Sequence, residues 1–143
     1  MVELTSSFLM EYEALDKEHQ ALADLVNQVV KAINGNESGK CKSLVKQFVE
    51  LAKEHFSNEE ALLLKTGFPN FKKHQEHHKN LTIKMDHIIE FANMADANQL
   101  ARDSLRKELV FFLMDDIITT DMDFKAFIEE KSRLLIQKYL DIF

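Results

Sequence analysis

The sequence predicts an all-α protein: an up-down-up-down antiparallel four-helix bundle with a C-terminal helical extension. Apolar residues recur at helical spacing almost throughout the chain. Only 3 Gly and 1 Pro are present, which leaves little material for turns and favours long uninterrupted elements. A length of 143 residues is usual for one domain, so residues 1–143 are expected to form a single domain. Four helices of roughly 20 to 25 residues with short connections pack as antiparallel neighbours.

The first two helices are predicted from two stripes that end at turn residues. Gly and Asn tolerate the left-handed conformation that closes a helix, so the first helix should stop at residues 34–36 and the second at Thr66 and Gly67. Pro69 is then suited to the first turn of the third helix. The stripes are Leu15, His19, Leu22, Val26, Val29 and Ile33, followed by Val45, Phe48, Ala52, His55, Glu59 and Leu62.

The third and fourth helices are separated by a polar stretch at residues 95–98, with Asn98 as the expected N-cap of the fourth. A further amphipathic stretch, residues 127–143, either continues the fourth helix or bends away from it. The stripes are Phe71, His74, His78, Leu81, Met85, Ile88 and Ala92, followed by Leu105, Leu109, Leu113, Asp116, Thr120 and Phe124.

Composition excludes several classes of partner. A formal charge of −6 argues against nucleic acid, because no face can collect a large excess of Lys and Arg. No run of about 18 apolar residues exists, so no membrane span is expected. The N-terminus lacks the basic start and apolar stretch of a secretory signal, and Cys41 is a single cysteine, so a cytoplasmic location is expected.

Each of the four stripes carries His, Glu or Asp at a position that the helical period assigns to the core. A buried unpaired carboxylate costs several kcal/mol, while a domain has only about 5 to 15 kcal/mol of net stability, so these groups need a compensating partner. A lone core histidine is usually just hydrogen-bonded, but that explanation weakens when every helix carries such a residue. In an up-down bundle seven of them fall in one layer: His19, His55, Glu59, His74, His78, Asp116 and Asp121.

The spacing of these residues matches the geometry of metal ligands. His74 and His78 are four apart, so they project from one helix face on successive turns, and His55 and Glu59 repeat that arrangement. Mixed imidazole and carboxylate ligands suit iron, manganese or zinc. Seven side chains exceed the needs of one ion, and with Glu59 and Asp121 free to bridge we expect two ions.

Asp116 is the difficult member of the set. It stands five residues before Asp121, about 140° around an ideal helix, so the two do not share one face. Either the fourth helix is locally irregular at this point, or its two carboxylates reach the layer from two sides.

At these residues the sequence resembles the hemerythrin family, specifically its single-domain bacterial type, over residues 8–127. LDKEHQALADLVNQV is similar to the family's first-helix signature, and HFSNEEALL to its H-F-x-x-E-E element. TGFPNFKKHQEHH resembles the G-[YF]-P turn followed by H-x-x-x-H, and FLMDDIITTD the W-L-x-x-H-I-x-x-x-D motif. The occurrence of these linked motifs in the family's order makes the resemblance specific.

The resemblance implies a di-iron centre that binds O2, with His19, His55, His74 and His78 as ligands and Glu59 and Asp121 as bridges. It implies three histidines on one iron and two on the other, with O2 at the open position of the second. This chain departs from the pattern because Asp116 replaces the family's remaining histidine and Phe112 replaces its Trp. Asp116 is expected to be a direct ligand; the alternative is that it lies outside the ligand set and water fills the gap. By analogy, an apolar O2 pocket would be lined by Leu22, Phe56, Phe112 and Leu113; equally, these are simply core residues.

Three functions compete at this point. The first is a non-enzymatic protein that stores, delivers or senses O2, monomeric or weakly self-associating. The second is a di-iron oxidase or peroxidase, in which Asp116 as an anionic ligand would lower the reduction potential and favour turnover. The third is an iron-handling protein, but no Glu-x-x-His pair of the ferritin-like kind fits the core stripes.

Overall fold

The computed structural model describes the backbone of residues 2–141 and the side chains of residues 12–134, 137, 138 and 140. No strand occurs in that backbone, and nearly all of it is helical. The helices are α1 (Val2–Asn34), α2 (Cys41–Thr66), α3 (Phe71–Met94), α4 (Gln99–Phe111) and α5 (Thr120–Asp141). A 3₁₀ turn at Ser38–Lys40 precedes α2, and a π-helical segment, Phe112–Thr119, joins α4 to α5.

The helices pack as the predicted four-helix bundle. The segments α4, Phe112–Thr119 and α5 follow one another without a break and together make the fourth helix of the bundle. Helix α1 packs against α2 and α5, α2 against α3, and α3 against α4. Because the connections between successive helices are only a few residues long, neighbouring helices run antiparallel. As far as Asp141, the C-terminal stretch continues the fourth helix as α5.

The helix ends follow the turn residues of the sequence with one difference. Gly67 ends α2 in the left-handed conformation at φ 72°, and the Asn98 side chain accepts a hydrogen bond from the Ala101 amide at 3.1 Å, as expected. Helix α1 ends at Asn34, and the left-handed residue after it is Asn36, with φ 58°, within the predicted stop at residues 34–36. Pro69 lies in the turn before α3 and not in its first helical turn, which begins at Phe71.

The π-helical segment supplies the irregularity that the spacing of Asp116 and Asp121 required. A π-helix forms hydrogen bonds between residues five apart and is common at functional sites. Residues five apart therefore come closer to one face here than in an α-helix. Asp121 follows directly after this segment, in the first turn of α5, and is buried.

Two apolar clusters fill the bundle, with a polar layer between them. On each helix the buried polar residues separate the side chains of one cluster from those of the other, so the layer is enclosed at both ends. The larger cluster includes Leu22, Phe48, Phe56, Leu81, Met85, Leu105, Leu109, Phe112, Leu113 and Ile117. The smaller cluster is Leu15, Leu62, Leu63, Phe124 and Ile128, with Tyr12, Phe68, Phe71 and Phe127 against it.

None of the described helices is long and apolar enough to cross a membrane.

Candidate metal centre

The polar layer contains two groups of ligand-type side chains that share two carboxylates. One group is His19, His55, Glu59 and Asp121, and the other is Glu59, His74, His78 and Asp121. In each group the candidate ligand atoms all lie within 4.8 Å of one another, and all members are buried. The structure thus brings together six of the seven residues that the sequence predicted.

Local helix geometry places each pair. His55 and Glu59 lie one turn apart on α2, and His74 and His78 one turn apart on α3, so each pair projects from a single face. His19 comes from α1 and Asp121 from α5, which packs directly against α1. Glu59 is only 1% exposed and Asp121 3%, so water cannot solvate either carboxylate fully.

One oxygen of each shared carboxylate faces the first histidine pair. Oδ2 of Asp121 lies 2.8 Å from Nε2 of His19 and 3.0 Å from Nε2 of His55. Oε2 of Glu59 lies 3.3 Å from the same His55 nitrogen. Both imidazoles of this pair therefore present Nε2 to the middle of the layer.

The remaining oxygen of each carboxylate faces the second pair. Oε1 of Glu59 contacts Nε2 of His74 and lies 3.3 Å from Nε2 of His78. Oδ1 of Asp121 lies 3.5 Å from the His74 nitrogen. The two carboxylates thus divide their oxygens between the two histidine pairs, which is the arrangement that a bridging carboxylate between two cations requires.

A second set of polar groups holds the outer nitrogens of the histidines. Nδ1 of His55 donates to Oε1 of Glu18 at 2.8 Å, and Oε2 of Glu18 accepts from the Asn58 amide at 2.8 Å. Nδ1 of His19 lies 3.4 Å from Oδ1 of Asp16. Metal-binding histidines commonly donate their outer N–H to a carboxylate in this way, which fixes the ring and leaves Nε2 for the ion.

His78 is held differently. Its Nδ1 is buried without a hydrogen-bond partner, and the nearest carboxylate oxygen, Oε1 of Glu60, is 3.7 Å away, too far for a hydrogen bond. The His78 ring is instead stacked on the Phe56 ring, with centroids 4.1 Å apart and an interplanar angle of 14°. An apolar contact thus supplies the orientation that a hydrogen bond supplies for His55.

Sequence reasoning gave no part in the site to four residues around the ligands: Glu18, Asn58, Asp16 and Glu60. Asp16 contacts His19, and Glu60 approaches His78. The position of Glu18 directly before the ligand His19 indicates little about its role. Glu18 contacts His55 on another helix, and the order of residues does not show that contact.

The charges in the layer are strongly interdependent. Burial alone would lower the pKa of His55, but hydrogen bonds to Asp121 and Glu59 outweigh it and raise that pKa to about 10. Burial would raise the pKa of Glu59, but hydrogen bonds from His55, His74 and His78 hold it well below its usual value. Burial, reinforced by the nearby Glu59, raises the pKa of Asp121 despite hydrogen bonds to His19 and His55. Without metal, therefore, a proton occupies the His55 nitrogen that faces the two shared carboxylates and that a cation would otherwise take.

The donor set fits two cations. Four imidazole nitrogens and two carboxylates converge in a layer closed above and below by apolar side chains. Borderline and hard divalent or trivalent ions such as iron, manganese and zinc accept this mixture. Metal binding would neutralise the buried carboxylates and at the same time displace the proton from His55.

The prediction that Asp116 is a ligand differs from what the structure shows. Its carboxylate pairs with Nζ of Lys84 at 2.9 Å and belongs to neither ligand group. The aspartate side chain is shorter than the histidine it replaces in the family pattern, so it reaches less far into the bundle. A neighbouring lysine on α3 provides a partner at the bundle surface, which compensates the charge without a metal.

Two histidines, His77 and His87, lie outside both ligand groups. His87 is mostly exposed. His77 is half-buried, and its Nε2 donates to the backbone oxygen of Asp116 at 3.1 Å, so it ties α3 to the π-helical segment.

The four residues named for an apolar pocket, Leu22, Phe56, Phe112 and Leu113, are all buried in the larger apolar cluster. Phe56 contacts a ligand histidine directly through its stacking on His78, and Phe112 packs edge-on against Phe48 with centroids 5.9 Å apart. The wall of the layer on this side is therefore apolar.

Comparison with known proteins agrees with this geometry. The family model described as the hemerythrin HHE cation binding domain matches residues 10–128. Myohemerythrin from Riftia pachyptila is 30% identical over 96 residues, which cover 65% of this chain and 75% of that protein. No solved structure matches the chain significantly. Since the family model spans the whole layer and most of the sequence, the chain belongs to the hemerythrin family.

Proposed function

We propose that this protein binds two iron ions in the polar layer and binds O2 reversibly there. The observation that carries the proposal is the division of carboxylate oxygens: Glu59 and Asp121 each turn one oxygen to each histidine pair. That division suits a pair of ions side by side better than one ion surrounded by six donors. The match to a cation binding family and to a myohemerythrin supports the same proposal of a two-ion centre.

In this proposal His19 and His55 would hold one ion, His74 and His78 would hold the other, and Glu59 and Asp121 would be shared between them. A pair of iron ions supplies the two electrons that O2 takes up on binding. The Glu18 carboxylate keeps Nδ1 of His55 protonated, so that Nε2 is the nitrogen available to the ion.

The apolar wall limits the access of water to the centre. Leu22, Phe56, Phe112 and Leu113 are at most 5% exposed, and they close the layer on the side of the larger cluster. A dry surrounding favours a small neutral molecule such as O2 over water and slows proton-dependent side reactions. These residues would serve the O2 pocket in addition to their packing.

The alternative of a di-iron oxidase or peroxidase depended on Asp116 as an anionic ligand. Because that carboxylate is paired with Lys84, the feature that favoured turnover is missing from the ligand groups. Reversible binding is therefore the function that the geometry supports better. We further propose that the protein acts in the cytoplasm as a monomer or weak homo-oligomer, without nucleic acid or membrane as a partner.

The test combines metal analysis with an optical O2 titration of anaerobically purified protein. We expect two irons per chain and an oxygenated spectrum that reverts under vacuum. Manganese or zinc fits the same donors, so metal content is measured first. Glu59→Gln should lose one or both ions, whereas Glu54→Gln, an exposed control on the same helix, should bind both. Irreversible bleaching with consumption of peroxide would support the oxidase instead, and reversible binding seen only in Asp116→His would contradict O2 binding by the natural chain.

A further inference from the structure

We propose that the ion held by His74 and His78 keeps an open coordination position on the Asp116 side of the centre. Lys84 would maintain that opening as a positioning residue by holding the Asp116 carboxylate away, so that a small exogenous anion can bind there. This inference rests on the proposed two-iron function and adds a second ligand-binding position to it.

In this chain the two ligand groups contain equal numbers of protein ligands. Each group has two histidines and the same two shared carboxylates. The family pattern instead gives three histidines to the ion corresponding to the His74 and His78 group. With Asp116 outside both groups, that ion has no more protein ligands than its neighbour, so both ions have room for an exogenous ligand.

Two contacts hold Asp116 in its present position. The carboxylate, whose side chain is 11% exposed, pairs with Nζ of Lys84 at 2.9 Å. The backbone oxygen accepts from Nε2 of His77 at 3.1 Å, and His77 is the residue directly before the ligand His78. Asp116 is therefore anchored to α3 at two points, and its carboxylate joins neither ligand group.

Lys84 is itself held between two groups from the fourth helix. Besides its contact with Asp116, its Nζ lies 5.6 Å from the centroid of the Phe111 ring, within the range of a cation–π interaction. A lysine fixed at both contacts can keep a carboxylate in one rotamer more firmly than a freely moving surface lysine can. Removing the ammonium would leave a largely buried carboxylate without its compensating charge, beside a cationic metal centre.

A pocket of about 260 Å³ lies beside the Lys84 and Asp116 pair. Both residues line it together with Phe112 and Ile88, which also belong to the larger apolar cluster. None of the candidate metal ligands lines this pocket, so it gives space around the pair and is not itself the ligand position. A compact anion is the ligand class that suits a cationic centre with a lysine nearby.

Azide is a suitable probe because it is small, anionic and gives a charge-transfer absorption on iron(III). The oxidised two-iron protein is titrated with azide, and its stoichiometry and dissociation constants are measured in the natural chain and variants. We expect two azides per chain. Asp116→His supplies an imidazole at the family's ligand position and should reduce the stoichiometry to one.

Substitution of Lys84 tests the positioning role. Lys84→Met should raise the dissociation constant of the second azide about tenfold, because the released Asp116 carboxylate competes for the coordination position. That factor is the order of the coupling found between contacting charged groups. Lys84→Arg keeps the pair and should behave as the natural chain does. Lys84→Met combined with Asp116→Asn removes the competing charge and should restore the second azide. Lys79→Met, an exposed control on α3, should change neither constant.

The outcomes separate the inference from the function on which it rests. A protein that does not take up two irons contradicts the proposed function. A protein with two irons that binds one azide, or whose stoichiometry is the same in the natural chain and in Asp116→His, overturns the inference and leaves the function intact. A Lys84→Met protein that is less stable but binds azide as before would show a merely structural ion pair; should it not fold, Asp116→His and the double variant still decide.

Discussion

Glu18 on α1 accepts a 2.8 Å hydrogen bond from Nδ1 of His55 on α2, so a carboxylate on one helix orients a ligand histidine on the next. The interaction is itself supported by Asn58, whose amide donates to the other oxygen of Glu18. His55 is fully buried, while the Glu18 side chain is 20% exposed, so this pair connects the centre with the bundle surface. Residues in this outer position commonly change metal affinity nearly as much as ligands do.

Replacement of Glu18 should therefore weaken metal binding without unfolding the protein. We expect Glu18→Ala to lower the affinity of the centre about 10- to 100-fold, because His55 loses the acceptor that fixes its tautomer and orientation. Glu18→Gln should lose less, since its amide oxygen can still accept from Nδ1. Competition with a chelator measures the affinity, and Glu54→Ala is the exposed control. Equal affinities in Glu18→Ala and Glu54→Ala would show that the hydrogen bond has no role in binding.

The metal-free protein should lose stability as pH rises above neutrality. The pKa of His55 is about 10 in the folded protein and 6.5 when unperturbed, so the folded state binds more protons between these values. Its contribution is fully present below about pH 6.5 and is lost as pH rises through about 10. Urea denaturation in the presence of chelator at several pH values measures the effect. His55→Gln should flatten the dependence, and a free energy of unfolding that rises over this range would contradict the expectation.

Metal should stabilise the fold, and its removal should destabilise it. Zn²⁺ is a convenient redox-inert probe, and at a free concentration 100 times its dissociation constant the gain is about 3 kcal/mol. Thermal unfolding with and without Zn²⁺ checks this value. In Glu59→Gln, where a shared carboxylate is lost, the gain should shrink strongly. An equal shift of the melting temperature in both proteins would place zinc elsewhere on the molecule.

Two glycines allow a test of the backbone that is independent of metal. Gly67 has φ +72°, and a Cβ there would meet nothing within 4 Å, so Gly67→Ala should cost about 1 kcal/mol through backbone strain alone. Gly39 is the matched control, since its φ is not positive and an added Cβ would lie 3.6 Å from Asp96, an ordinary contact. Gly39→Ala should be neutral or slightly stabilising. Denaturant unfolding measures the free energy of unfolding of both variants. A neutral Gly67→Ala would show that α2 does not end in a left-handed residue at this position.

The residues of the polar layer show how much of the site could be predicted from the sequence. His19, His55, Glu59, His74 and His78 were predicted because each occupies a core position of a regular helical stripe, and helical periodicity is a local property. Asp121 lies one residue off the stripe of the fourth helix, and its prediction came from its place late in that helix and from the family resemblance. Asp116 lies on the stripe, but its carboxylate pairs with Lys84 and joins neither ligand group. Its side chain is shorter than the histidine of the family pattern, and the spacing of residues does not show which partner a side chain reaches.

The sequence alone determined the features that depend on neighbours a few positions away along the chain. These are the helical periodicity behind the fold class and the polar layer, the turn at Gly67 and the cap at Asn98. Only the tertiary structure decided that Glu18 serves His55, that Phe56 supports His78, and that each shared carboxylate turns one oxygen to each histidine pair. Those relations depend on how far each helix is rotated and how closely it approaches its neighbour. Differences of one or two ångströms between helices decide them, and the spacing of residues along a single helix does not contain that information.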